Sequence, residues 1–445
     1  MRAALATLRY HVHDKPLKPT EVAAHYAAHH AGVPASSRAV PEEAVLYRNV
    51  TGSRLPVLLG LYGDENRVRG WLPGLPRHIT AETARDLVAR AHTPVQAPAR
   101  HEPLPGVDLT ELPALVATPR DAGPYLTTGV IHAAEAMSVH RMLILGPDRL
   151  AVWMVPGRLL RALHESAGRL PVTIALGVPP AVMVASALGS RFLPPGVTKA
   201  AMAGALAGEP LAIAGRAPAQ AEIVLEGALT EERADEALAG EPGTPQRSKS
   251  PPGGGLGVSL PEFLGYDGSA RPGLPVITVT GMAARRRPIF QAVIGPGREQ
   301  SIILGLAGAL SVALSVPDPI IAGLHYGPAG GGMLTLVVTV RKRGQADDHR
   351  LGDLAERIFR AHPFTKLVVF TDDDVDPSCP EDVLWALTTR CNLGVDAITL
   401  PGFTPLGMDP SQRPDWSRGG GEGRTYVDAT TPYLGRAATR RSFPS

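Results

Sequence analysis

Cysteine is nearly absent. The two present in 445 residues, Cys379 and Cys391, are too few for a disulfide framework and lack metal-ligand spacing, so a reducing cytoplasmic setting is expected. Aromatic residues make up 5% of the chain, and no uninterrupted apolar run reaches membrane-spanning length, so no membrane segment is read. Met1 to Tyr10 holds two arginines but neither an apolar core nor a small-residue cleavage site, so no secretory signal is read there. Neither sign of charge prevails: Lys+Arg 44 against Asp+Glu 42 gives +2, and no basic block interleaved with aromatics marks a nucleic-acid surface. Lysine is scarce, confined to positions 15, 18, 199, 249, 342 and 366, so arginine carries nearly all the positive charge.

A hydrophobic content of 44% over this length can bury a large core and divide into two or three domains. Strand-like pieces Ala44 to Tyr47 and Val57 to Leu61 precede a helix from Ala81 to Ala91, with Thr80 as N-cap and Thr83 where a capping box wants Glu or Gln. The Pro-rich stretch 94–105 places a first boundary. Strands follow at Gly129 to Ala133, Met142 to Leu145 and Leu150 to Val155, the latter two joined by Gly146-Pro147-Asp148 in a hairpin turn. A helix is read over Arg158 to Ser166, a buried strand over Val172 to Val178 and an apolar helix over Ala181 to Leu188. Residues 240–257 are Pro/Gly/Ser-rich and read as a surface loop. A second boundary near Gly297 precedes a long apolar helix, Glu299 to Val316. Strands Met333 to Arg341 and Lys366 to Thr371, with helices Asp347 to Ala361 and Glu381 to Thr389, then make an α/β unit. The residues alone give a multi-domain α/β or α+β protein, with divisions at 1–105, 106–297 and 298–445.

Seven blocks in collinear order carry more. DLTELP (Asp108 to Pro113), GPYLTTGVIHA (Gly123 to Ala133), ALGVPPAVMVASA (Ala175 to Ala187), AEIVLEG (Ala221 to Gly227), PEFLGYDG (Pro261 to Gly268), TDDDVDPSCPEDVLWALTTR (Thr371 to Arg390) and GRTYVDAT (Gly423 to Thr430) span about three quarters of the chain. In these the sequence resembles the UbiD-type decarboxylases. The resemblance implies an N-terminal α/β piece, a central split β-barrel of the flavin-reductase kind, and a C-terminal α/β domain used in oligomerisation. It also implies prenylated FMN, supplied by a separate flavin prenyltransferase, and reversible non-oxidative decarboxylation of aromatic or α,β-unsaturated acids.

Carried over residue by residue, the family's catalytic arginine falls on Arg141 in SVHRMLI, where a guanidinium can hold a substrate carboxylate bidentately. The family's two glutamates lie five apart in an EGPFGE-like loop. Here GVSLPE puts Glu262 at the second, the proton donor, and Gly257 at the first. The family holds the flavin phosphate through a divalent ion, usually manganese, on an Asn, a His and a Glu. The corresponding positions are Ala136, His164 and Lys199, so two of three ligands are replaced, and the Lys199 ammonium is expected to meet the phosphate directly. Ser138, Ala185 and Ser186 match positions that cradle the flavin, and Arg424 stands where the family has a lysine near the phosphate. The acidic run Asp372 to Asp374 with Asp376 is structural in the family.

The leading expectation is thus a decarboxylase of a small carboxylic acid, built as a homodimer or higher oligomer. One alternative is a degenerate, non-catalytic relative that binds flavin or nothing and supports an active partner, motivated by Gly257, Ala136 and Lys199; another keeps an enzyme with plain FMN or a different reaction. A shortened end after YVDATTPYLG leaves the relatives' mode of assembly open.

Overall fold

The computed structural model describes residues 1–30, 41–237, 258–261, 265–295, 297–412, 421–437, 439 and 441. These form two compact units, 1–74 with 91–300, and 75–90 with 301–445. Residues 240–257 and Glu262 lie outside the described residues.

The first unit opens with a small sheet. Strand β1 (His11–His13) runs parallel to β2 (Val45–Tyr47), which pairs antiparallel with β3 (Val57–Leu59), and β3 lies parallel to Phe290–Gln291. Helix α1 (Val22–His29) connects β1 to β2 and buries Val22, Ala23 and Tyr26.

Six longer strands close into a barrel. They are β4 (Tyr125–Ala133), β5 (Ala136–Ile144), β6 (Arg149–Val152), β7 (Leu170–Leu176), β8 (Ile223–Ala234) and β9 (Leu274–Ala284). The antiparallel pairings run β8-β7-β4-β5-β6-β9, and β9 returns to β8, so no edge is left open among these strands. Their inward residues, among them Leu126, Ile131, Met142, Ile174, Leu225 and Ile277, are fully buried and share one core with Val45 and Val57 of the small sheet and Tyr26 of α1. The hairpin read at Gly146-Pro147-Asp148 joins β5 to β6, with Met142 opposite Val152.

Three helices decorate the barrel: α2 (Leu159–Ala167), α3 (Pro180–Ala187) and α4 (Lys199–Ala207). Gly177 makes the exit from β7 toward α3 at φ +66, and a Cβ there would stand 2.5 Å from Glu222 Cγ, so only glycine suits the turn. Pro180 opens α3 at a position where its missing N–H costs nothing.

The second unit is a five-stranded sheet in the order Ile321–Tyr326, Thr335–Val340, Leu367–Asp372, Arg424–Ala429, Ala397–Leu400. The strands Thr335–Val340, Leu367–Asp372 and Arg424–Ala429 are parallel neighbours. Helix Ala81–Ala89 belongs to this unit, and both halves of its capping box form, with Thr80 accepting from Thr83 N and Thr83 Oγ1 accepting from Thr80 N. The acidic run is tied internally: Arg390 bonds Asp372 and both oxygens of Asp374, and Asp372 also accepts from Thr431 N.

Candidate active site

Arg141 lies on β5, a strand whose residues are otherwise mostly apolar and buried. An isolated guanidinium there would be costly, and its partner is Glu236, two residues past the end of β8. Arg141 Nε stands 3.0 Å from Glu236 Oε1 and Nη2 donates to Oε2 at 3.1 Å, a forked pair. The Glu236 carboxylate is almost wholly buried, and Tyr125 Oη donates to its Oε1 at 3.2 Å. Burial first, and then the neighbouring Glu236 charge, raise the Tyr125 phenol well above its ordinary range, so it remains a neutral donor.

Glu236 did not emerge from the sequence reading, which counted five residues back from Glu262 and met Gly257. The pairing carboxylate instead precedes the Pro/Gly/Ser-rich stretch, at the end of RADE. The signal was present: AEIVLEG starts a strand that runs on to Ala234, so an acidic residue at its end stays with the barrel whatever number of residues follows it. Glu262 itself lies outside the described residues, and the strand Val258–Pro261 before it packs Leu260 with Tyr125, Leu143, Ala151 and Leu274.

A second cluster surrounds Lys199. This residue is 4% exposed, stands first in α4, and donates from Nζ to Ser186 O at the end of α3, 3.1 Å away. Arg158, the N-cap residue of α2, acts on it electrostatically. Burial first, then Arg158, lowers the Lys199 ammonium to about 7. Burial likewise lowers Arg158, with Arg191 adding to the effect. No acidic partner appears for Lys199 or Arg158 among the described residues. Both cations also stand at the positive ends of their helices, where the macrodipole opposes them.

His140 joins this cluster. Its Nε2 meets Ser138 Oγ at 2.8 Å and its Nδ1 faces Trp153 O at 3.1 Å. Burial above all, then Arg158 and Lys199, push the imidazole down to about 4 against the raising effect of the Trp153 carbonyl. Ala185 and Ser186 are buried in α3, and the Ser186 hydroxyl is spent on Met183 O.

Two expected members sit apart in their bonding. His164 is six residues further along α2 than Arg158, about 9 Å of helix rise, and its Nε2 faces Thr230 O at 3.0 Å. Arg424 is 2% exposed in the second unit and donates to Thr404 O, Gln412 Oε1 and Gly423 O. Manganese, implied by the resemblance, does not fit these residues. Ala136 offers no ligand atom, His164 is engaged with a carbonyl, and the third position is an ammonium beside a guanidinium, which favours an anion over a cation.

Residues 87–299 match the family model described as the 3-octaprenyl-4-hydroxybenzoate carboxy-lyase Rift-related domain, and residues 303–429 match the C-terminal domain of the same carboxy-lyase. Gallate decarboxylase of Lactiplantibacillus plantarum is 29% identical over 426 residues, covering 88% of this chain and 84% of that protein. Anhydromevalonate phosphate decarboxylase of Methanothermobacter thermautotrophicus is 28% identical, covering 88% and 89%. Among solved structures, the apo 3,4-dihydroxybenzoic acid decarboxylase of Klebsiella pneumoniae aligns with a TM-score of 0.85 at 30% identity, over 100% of this chain and 96% of that one. The UbiD-class enzyme HmfF of Pelotomaculum thermopropionicum in complex with prFMN aligns at 0.78 and 26% identity, over 100% and 96%.

Proposed function

The chain belongs to the UbiD family of carboxy-lyases, and from that premise we propose that it decarboxylates an aromatic carboxylic acid on prenylated FMN, with Arg141, Glu236 and Glu262 as its working groups and no metal at the phosphate. The observation that carries this reading is the buried Arg141–Glu236 fork on the barrel wall. A hydroxybenzoate-type acid is favoured because gallate and 3,4-dihydroxybenzoic acid are the substrates named for two of the relatives.

In this reading Arg141 orients the substrate carboxylate, and Glu236, with Tyr125 behind it, fixes the plane of the guanidinium. Prenylated FMN, when bound, supplies the electron sink for the pair left on carbon as carbon dioxide departs. Glu262 delivers a proton to that carbon, and the net change is a C–C bond exchanged for a C–H bond without oxidation. Lys199 and Arg158, two cations at helix N-termini, meet the nucleotide phosphate directly and perform the charge neutralisation that relatives assign to a divalent ion.

The test is production of the protein with and without a flavin prenyltransferase, followed by mass and visible absorption of the bound cofactor and carbon dioxide release from a panel of hydroxybenzoates. Flavin-loaded protein that neither releases carbon dioxide nor exchanges the substrate's ring hydrogen with deuterated solvent on any panel member would overturn it. Retention of the flavin after exhaustive chelation is expected.

A further inference from the structure

Histidine is concentrated at the start of the chain, where five of the fourteen lie between positions 11 and 30. Three polar side chains there converge on one point. His30 Nδ1 lies 3.0 Å and His11 Nε2 3.2 Å from the same oxygen, Glu43 Oε2. Among the described residues this is the one group of three His, Cys, Asp or Glu side chains whose ligand atoms all fall within 4.8 Å of one another.

The backbone presets the arrangement. His11 N donates to Ala44 O, through the β1–β2 pairing, and Glu43 N donates to His30 O, so each residue is tied to the segment bearing another. Tyr26 Oη donates to Glu43 O and its ring stacks near His30. Further imidazoles stand close by, with His25 4.3 Å from His13 and 4.4 Å from His29 between ring centroids.

We propose that His11, His30 and Glu43 form a zinc site, with solvent as the fourth ligand. The donor set and the spacing both point to this ion. Zinc bonds of about 2.0–2.1 Å in a tetrahedron place neighbouring ligand atoms about 3.3 Å apart, close to the N–O separations of 3.0 and 3.2 Å. Two imidazoles with one carboxylate suit zinc and its first-row neighbours better than magnesium, calcium or manganese, which prefer all-oxygen sets. His11 is 59% exposed at the side chain, so its ring can turn to close the third edge and the ion can enter from solvent. Bound there, the ion joins β1, the end of α1 and the start of β2, and the site is independent of the decarboxylase reading.

The test uses the full chain without an affinity tag, stripped with chelator and titrated with zinc sulfate by calorimetry, with metal counted by mass spectrometry after dialysis. One zinc per chain is expected, together with a rise in melting temperature. His11→Ala and Glu43→Gln should each weaken binding roughly tenfold or more, while His29→Ala and His13→Ala leave it in place. Circular dichroism confirms that each variant folds. Absence of stoichiometric zinc overturns the proposal, as does zinc binding that survives both His11→Ala and Glu43→Gln or depends instead on His29. Manganese chloride in place of zinc should give no saturable heat at this site.

Discussion

At the scale of the residue, the proposed function rests on two charges. Glu236→Gln keeps the shape but removes the carboxylate from Arg141, and losing one partner of a buried pair costs about 3–5 kcal/mol. The expected outcome is a melting temperature several degrees lower and a fall in kcat of about 100-fold or more, with Glu236→Asp recovering part of it and Gly257→Ala leaving kcat unchanged. Steady-state kinetics with a folded-state check by circular dichroism decides; an unaffected kcat in Glu236→Gln removes the residue from the mechanism. Lys199 gives a second prediction. Because its ammonium is lowered to about 7, the cofactor-free protein loses that charge as pH rises through neutrality, and the phosphate of FMN loses a contact. FMN affinity, followed by fluorescence titration, should fall from pH 6 to pH 8.5, and Lys199→Gln should bind weakly with that pH step removed. Arg141 and Lys199 were singled out in the sequence as candidates because each sits within a gapless run beside a recognisable block. Glu236 was not, because a low-complexity stretch of unconstrained length separates it from Glu262, and position counting fails across such a stretch while strand continuity does not.

Elements were legible where periodicity or capping is local. Strand β7, helix α3 with its proline start, the β5–β6 turn and the helix after Thr80 all follow from residues within a turn or two of their ends. The capping box shows how far this goes, since a threonine at Thr83 completes it in place of the longer Glu or Gln by accepting from Thr80 N at 3.0 Å. Thr80→Ala removes the acceptor for Thr83 N and should destabilise the protein by about 1 kcal/mol, read as a shifted denaturant midpoint with an unchanged slope. Thr83→Ala should cost less, because the Thr80 side chain still caps Thr83 N. What periodicity missed is closure. The long strands β8 and β9 pair over most of their length with register shifts at Glu226/Gly227 and Leu229/Arg233, and neither an alternating pattern nor a turn signal in the chain announces which distant strand will complete the ring.

Across the whole molecule, the buried titratable groups are dispersed, and their signs set a pH profile for the cofactor-free protein. Glu299 accepts from Gly60 N and Tyr62 N yet is raised to about 8 by burial first and Glu42 second, so its contribution is full below pH 4.5 and is lost as pH rises through 8. The Met1 amine, lowered to about 5 chiefly by burial, acts in the opposite sense between pH 5 and 8, and the two largely offset. His132 and His140, both lowered to about 4 by burial, contribute above pH 6.5 and lose that contribution as pH falls toward 4. Lys199, lowered from 10.5 to about 7, contributes fully only above pH 10.5 and loses its share as pH falls through 7. With the first two groups cancelling, stability should climb from pH 4 to 6.5 through the histidines and again from pH 7 to 10 through the lysine, each group adding at most about 1.4 kcal/mol per pH unit. A phosphate-bearing flavin stabilises the charged lysine, so saturating FMN should flatten the alkaline limb and leave the acid limb untouched. Melting temperatures at pH 5, 7 and 9.5, with and without FMN and in Lys199→Met, separate these contributions. An alkaline limb that persists in Lys199→Met assigns it to other groups and removes the buried ammonium as its cause.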